Sequence, residues 1–177
     1  MTIRRILPYP ARQLKRRARL VDGITDEIRE LAGDMIETMY DAPGIGLAAP
    51  QVGVGLRLAV IEMAGNEDER DPLVLINPEI LDRSSDVDVA SEGCLSLPGF
   101  FIDITRPVSV ELRFLDLDGV ERELALEGLQ ARCAQHEIDH LNGKLIIDHL
   151  SRLKRGIIVA KYKKERAASK QKKSRMG

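Results

Sequence analysis

The stretch Gln135-His136-Glu137-Ile138-Asp139-His140 constrains this chain more than any other. Two imidazoles four residues apart, with a glutamate directly after the first, make a divalent-metal clamp when the segment is helical. Residues i and i+4 lie one above the other on a helix face, so His136 and His140 reach the same ion. Glu137 projects about 100° around the helix from His136, where it can hold a water without taking a ligand position, as a general base does. The bland alternative is a solvated helix that happens to carry histidines. Against it, the chain has three histidines, His136, His140 and His149, and two of them fall at this spacing. The expectation is a metal-dependent hydrolase.

A catalytic zinc-type site takes three protein ligands and keeps a fourth position for water. A metzincin-like third histidine would stand at position 146, which is Ile146. A thermolysin-like glutamate would have to be Glu165, inside a lysine-rich stretch that reads as exposed. Upstream, Glu92-Gly93-Cys94-Leu95-Ser96-Leu97-Pro98-Gly99 offers a thiol, and since Cys133 is the only other cysteine no C-x-x-C redox pair is available.

Glu92-Gly93-Cys94-Leu95-Ser96 together with the His136 to His140 motif resembles the signature of bacterial peptide deformylases. Gly44-Ile45-Gly46-Leu47-Ala48-Ala49-Pro50-Gln51 is similar to that family's first glycine-rich motif, and the three blocks occur in the family's order. The resemblance extends from near the N-terminus to about Leu153. It implies that Cys94, His136 and His140 bind the metal, that Glu137 is the acid/base group, and that the Gln51 side chain and the Leu95 backbone N–H receive the developing oxyanion. The implied reaction is removal of the formyl group from N-formylmethionine of nascent polypeptides, releasing formate. A metal ion would lower the pKa of its water from 15.7 toward about 7, and losing one oxyanion donor typically costs about 10²- to 10³-fold in rate.

Taken alone, Cys94 reads as a small buried hydrophobe; joined to the two other motifs it reads as a ligand. Cys133 shares a helical face with His136, yet a fourth ligand would close the water position. By resemblance Ile45, Leu129 and Cys133 form the pocket for the methionine side chain, with plain core packing as the alternative. Gly44 and Gly46 would let the backbone pass close to substrate and adopt positive φ; an ordinary loop after a helix explains Gly44 but not Gly46. Glu92 and Arg106 either brace the metal-binding strand near Gln51, as the resemblance implies, or form a surface pair. One departure stands out: Phe101 occupies a position where some family members carry a basic residue, and Phe100 and Phe101 read either as a hydrophobic rim or as core.

With 177 residues and 44% hydrophobic content, one domain with a sizeable core is expected. No apolar run approaches membrane-span length, and Met1-Thr2-Ile3-Arg4-Arg5 lacks the apolar block of a signal peptide. A cytoplasmic protein with reduced cysteines follows. A helix is expected from Asp26 to Ala42, with Ile28, Leu31, Met35, Ile36 and Met39 as its apolar stripe, stopped by Pro43-Gly44. Strands are expected at Leu56 to Met63, Leu73 to Ile76, Ile80 to Asp82, Val87 to Ala90, Val108 to Leu115 and Val120 to Leu126, the last two a hairpin around Asp118-Gly119. A charged surface loop covers Gly65 to Pro72. The motif helix should run from Glu127 to Leu141 and end at Asn142-Gly143 in a left-handed cap. Such a pattern suggests α+β. The family fold agrees, with mixed antiparallel sheets around a central metal-binding helix and a helix at the C-terminus.

Residues 151 to 177 hold 11 Lys/Arg against one acidic residue, a charge of +10, which leaves 16 basic and 27 acidic residues in 1 to 150, a charge of −11. The expected organisation is a catalytic part, 1–150, with a basic helix and tail, 151–177, in the same unit. Ser151 is the candidate N-cap, and Leu153, Ile157 and Ile158 are expected to dock the first turns. The tail suits a polyanion, by resemblance the ribosome; the alternative is a solvated helix with an unstructured end beyond Ala168. Rival functions are a zincin-like endopeptidase and a noncatalytic ribosome-associated metal-binding module. The Cys-His-His set binds iron, zinc, nickel or cobalt, with Fe2+ the first expectation by resemblance, and the chain is expected to be a monomer.

Overall fold

The computed structural model describes residues 2–64 and 69–175. The expected charged loop from Gly65 lies partly outside them, at 65–68. The first helix, α1 (Asp26–Asp41), carries Asp26 and Glu27 in its first turn, where acidic groups suit the positive helix end. Its buried stripe of Ile28, Leu31, Met35 and Met39 covers one face of a five-stranded antiparallel sheet. That sheet runs in the order β1 (Gly46–Ala48), β2 (Leu58–Glu62), β3 (Pro72–Arg83), β6 (Ser109–Leu115) and β7 (Glu121–Glu127). The other two strands, β4 (Val87–Gly93) and β5 (Phe101–Pro107), form a separate antiparallel pair.

The motif helix, α2 (Gly128–Leu141), lies on the opposite face of the large sheet and also reaches β5. Strand alternation explains how β2 serves both helices: Leu58 and Val60 pack with the α1 core, while Ile61 packs with Ala131, Ala134 and Ile138 of α2. A helix held between two sheets is the expected α+β arrangement. Past its C-terminus Gly143 takes φ +74°, and its N–H bonds the His140 carbonyl at 3.0 Å, so the left-handed cap is present.

Three elements differ from the sequence reading. The two strands expected on either side of Asn77-Pro78 are one strand, β3. Asn77 adopts φ 53° within it, and its side chain both accepts from the Val21 N–H and donates to the Val21 carbonyl, so a register shift replaces the break. Strand β5 was not expected, because its inward positions are Ile102, Ile104 and Arg106, and an arginine followed by Pro107 hides the alternation. Strand β1 falls where a glycine-rich loop was expected.

The last helix, α3, spans Arg152–Arg175 and so continues helical past Ala168. Ser151 Oγ accepts from the Lys154 N–H at 3.4 Å, as a cap should. Leu153 and Ile157, expected to dock, are instead 75% and 61% exposed. The docking face follows Ile158, Tyr162 and Arg166, successive positions four apart. Tyr162 is buried against Tyr9 and Phe100, with ring centroids 5.9 and 5.6 Å away, and a large aromatic seat outweighs the two aliphatics earlier in the helix. Among the described residues no helix is long and apolar enough to cross a membrane.

Candidate metal centre

Cys94 follows β4 directly, in a turn closed by the Leu97 N–H on the Cys94 carbonyl at 2.8 Å. This turn presents the thiol to the face of α2 that carries His136 and His140. The three donor atoms lie within 4.8 Å of one another, all buried, and Cys94 Sγ is 3.3 Å from His140 Nε2. Bonds of about 2.0–2.3 Å from one tetrahedral ion would place two ligand atoms at about that separation. The charge pattern agrees. Burial works against ionising Cys94, yet the His140 charge and the hydrogen bonds from His136 and His140 draw its pKa down to about 5. Burial likewise opposes the imidazolium at His136, but its hydrogen bonds to Cys94 and Glu92 push it up to about 10. A thiolate facing imidazole protons marks a place that favours positive charge, and these residues fit one divalent cation.

Glu92, at the end of β4, orients this set. Its Oε2 takes the Nδ1 side of His136 at 2.9 Å, which leaves Nε2 of that ring free for an ion. Arg106 grips the same carboxylate with Nε at 2.6 Å and Nη2 at 2.9 Å, and Arg132 Nη1 adds a contact at 2.8 Å. Burial raises the Glu92 carboxyl, but the bonds from His136 and Arg106 outweigh it and hold the group well below the usual carboxylate range. Arg106 continues to Asp139 at 2.9 Å, and Asp139 to His149 at 2.8 Å. The Glu92–Arg106 pair is therefore buried rather than on the surface; it ties β4, the strand that leads to Cys94, to β5, and it also orients His136.

Glu137 lies deep in the same cleft. Burial pushes its carboxyl up, and its Oε2 has no hydrogen-bond partner among the described residues. Gly46 makes room for it: a Cβ at that position would sit 2.4 Å from Glu137 Oε1 and 2.7 Å from Cys133 Sγ. Gly44 is less confined, with the end of the Leu95 side chain, Cδ1, 2.9 Å from where its Cβ would be. Both glycines thus serve close approach, while neither takes the left-handed φ expected of it. Gln51 sits in a single turn, Ala49–Val52, that Pro50 pre-sets. Its Oε1 accepts the Ala48 N–H at 2.8 Å, which turns its amide nitrogen toward Ser96 Oγ at 3.3 Å and Cys94 Sγ at 3.8 Å.

The cleft over these groups holds about 610 Å³ and is lined by Gly44, Gly46, Gln51, Leu95 and Glu137 among others. Ile45 and Leu129 line it as half-exposed apolar walls, and Cys133 lies buried between core and cleft, donating its thiol to the Ile45 carbonyl at 3.1 Å. Burial and the Glu137 charge push the Cys133 thiol well above its ordinary value, the opposite of Cys94. Phe101 is the rim, 72% exposed, and its ring covers the side of Gly93 that lacks a Cβ; Phe100 belongs to the core. The sequence reading missed Arg132, Ser96 and the Asp139–His149 extension. Arg132 had a signal, being an arginine one turn before His136 and so on the same face of the motif helix.

Comparison with known proteins agrees with this geometry. A family model described as polypeptide deformylase matches residues 3–156. The chain is 54% identical over 164 residues to a peptide deformylase of Afipia carboxidovorans, covering 93% of this chain and 96% of that protein. Among solved structures, a peptide deformylase of Ehrlichia chaffeensis superposes with TM-score 0.89 at 38% identity, covering 95% of this chain and 99% of that one. One of Legionella pneumophila gives 0.87 at 43% identity, with 95% and 98% covered.

Proposed function

The chain belongs to the peptide deformylase family, and on that footing we propose a task for each residue of its site. It is a metal-binding hydrolase that removes the N-terminal formyl group from formylmethionyl nascent polypeptides and releases formate. Cys94, His136 and His140 hold the ion. When bound, the ion supplies Lewis acidity, which brings water within reach of deprotonation near pH 7. Glu137 takes the proton from that water at Oε2 and returns it to the departing amine. Gln51 Nε2 and the Leu95 N–H donate to the formyl oxygen as charge develops on it. The methionine side chain packs against Ile45, Leu129 and Cys133, while Gly44 and Gly46 let backbone approach the reacting group.

The observation that carries this reading is the convergence of three donor atoms within 4.8 Å beside a buried Glu137 oxygen that has no hydrogen-bond partner among the described residues. Formate release from formyl-Met-Ala, with an unformylated peptide as control, tests it. The wild type should turn over only the formylated substrate, and Glu137→Ala should lose nearly all turnover while still binding one equivalent of metal. Retained turnover in that variant would remove the acid/base role.

Fe2+ is our reading of the cellular ion, with Zn2+, Ni2+ or Co2+ able to replace it, since the sulfur and two imidazoles accept all four. Metal analysis after anaerobic purification decides between them. We place the protein in the cytoplasm, on the ground that Cys94 must stay reduced to hold the ion, and read it as a monomer. The helix α3 and residues 1–150 act as one unit, supported by the burial of Tyr162. The charge of α3 supports docking to the ribosome. A Lys161→Gln/Lys163→Gln/Lys164→Gln variant should then bind ribosomes more weakly and with a shallower salt dependence.

A further inference from the structure

A second cleft, of about 410 Å³, opens near the C-terminal end of α2, lined by Arg17, Arg57, Arg83, Leu20 and Glu79 together with uncharged groups. We infer that it is a phosphate-binding site, built to take the backbone of an RNA strand. None of the three arginines has a carboxylate partner among the described residues, and the acidic wall residue, Glu79, is engaged by Arg113 at 3.1 Å.

Arg57 is the fixed element. Its Nη1 donates to Asn142 Oδ1 at 2.9 Å and to the Leu141 carbonyl at 3.5 Å, and its Nη2 donates to the Pro78 carbonyl at 3.0 Å. Three neutral acceptors hold the guanidinium in place without cancelling its charge, so the cation is oriented before any ligand arrives. Burial, and then the like charge of Arg17, lower its hold on the proton, while the Glu79 charge acts the other way. Arg17 and Arg83 are exposed and line the same cleft, and a guanidinium fork suits phosphate oxygens.

The neighbouring chain favours a polymer over a single ion. The first 21 residues carry seven Lys/Arg and no Asp/Glu. Arg12, Arg16, Arg17 and Arg19 of that run are exposed and make no ion pair among the described residues. Arg17 is the member of this run that lines the cleft, so the others can serve a ligand only if it extends beyond the cleft, as consecutive phosphodiesters do. This site is separate from the deformylation cleft, so its failure would leave the enzymatic reading untouched.

The test is fluorescence anisotropy of a short single-stranded RNA on the full chain across a salt series. The Arg17→Ser/Arg83→Ser variant is used because both residues are exposed, whereas Arg57 also ties α2 to β3. The variant should bind about tenfold more weakly, with a log K against log salt slope shallower by about 0.7 for each lost contact. Its deformylation rate and circular dichroism should be unchanged. A parallel NMR titration with inorganic phosphate follows the Arg57 Nε–H. Shifts from phosphate with no tighter binding of RNA would keep the site and assign it to free phosphate. RNA binding equal in the variant and the wild type, with no Arg57 shift from either probe, would overturn the inference.

Discussion

Gly46 lies flat against the Glu137 carboxylate, so closely that a methyl group there would meet Oε1 at 2.4 Å. Strand β1 and helix α2 therefore hold the acid/base group between them. Gly46→Ala must push Glu137 aside, and a displacement of about 1 Å can cost about 100-fold in rate. Formate release should fall by that order while one equivalent of metal is retained, because the three ligands do not touch Gly46. Loss of metal along with activity would show that the glycine supports the ligands instead.

Glu92→Gln keeps the shape of the hub but removes the charge that His136, Arg106 and Arg132 share. Metal affinity, read by competition with a chelator, should fall about 10- to 100-fold. Stability should fall as well, by roughly 3 kcal/mol, since two buried guanidiniums lose the carboxylate they share and keep only Asp139 and Asp88.

The N-terminal segment is tied down by Asp34, whose Oδ1 accepts the Thr2 N–H at 2.5 Å and whose Oδ2 meets Arg4 at 3.0 Å. The Thr2 N–H, then Arg4, hold this carboxyl below its ordinary value against the effect of burial. A depressed carboxyl contributes stability that is fully present above its unfolded pKa of about 3.9 and is lost as pH falls through the folded value. Between pH 6 and pH 3, the urea midpoint of the wild type should drop more than that of Asp34→Asn, which lacks this titration. Parallel curves would assign the acid sensitivity elsewhere.

Tyr162 and Leu153 on α3 should behave oppositely. Tyr162→Ala removes a buried ring from between Tyr9 and Phe100 and should cost about 3 kcal/mol in urea denaturation. Leu153→Ser, at a site 75% exposed, should change stability by no more than about 0.5 kcal/mol.

The parts of this molecule that the sequence made legible are those where chemistry and periodicity coincide. His136, Glu137 and His140 announce both a helix and a metal, and the stripe from Ile28 to Met39 announces α1 almost to the residue. What escaped was decided by long-range partners. Asn77-Pro78 reads as a stop until Val21 is seen bonding the asparagine side chain. Arg106 disguises a strand because its buried charge is matched by Glu92, fourteen residues away, and Asp139, thirty-three away. Leu153 and Ile157 follow a sound local rule for docking, which the more distant pull of Tyr162 toward Tyr9 overrides. Cys94 was reached through its motif rather than through spacing, since nothing local says that a turn after β4 will meet the helix.

The contact between Tyr9 and Tyr162 joins two residues about 150 positions apart in the sequence. Arg166 adds a bond to the Tyr9 carbonyl, and Lys15 pairs with Asp148. A clasp between residues so far apart cannot close before residue 162 has been made, so a protein that trims the beginnings of other chains leaves its own Tyr9 segment unseated while everything between the two tyrosines is synthesised.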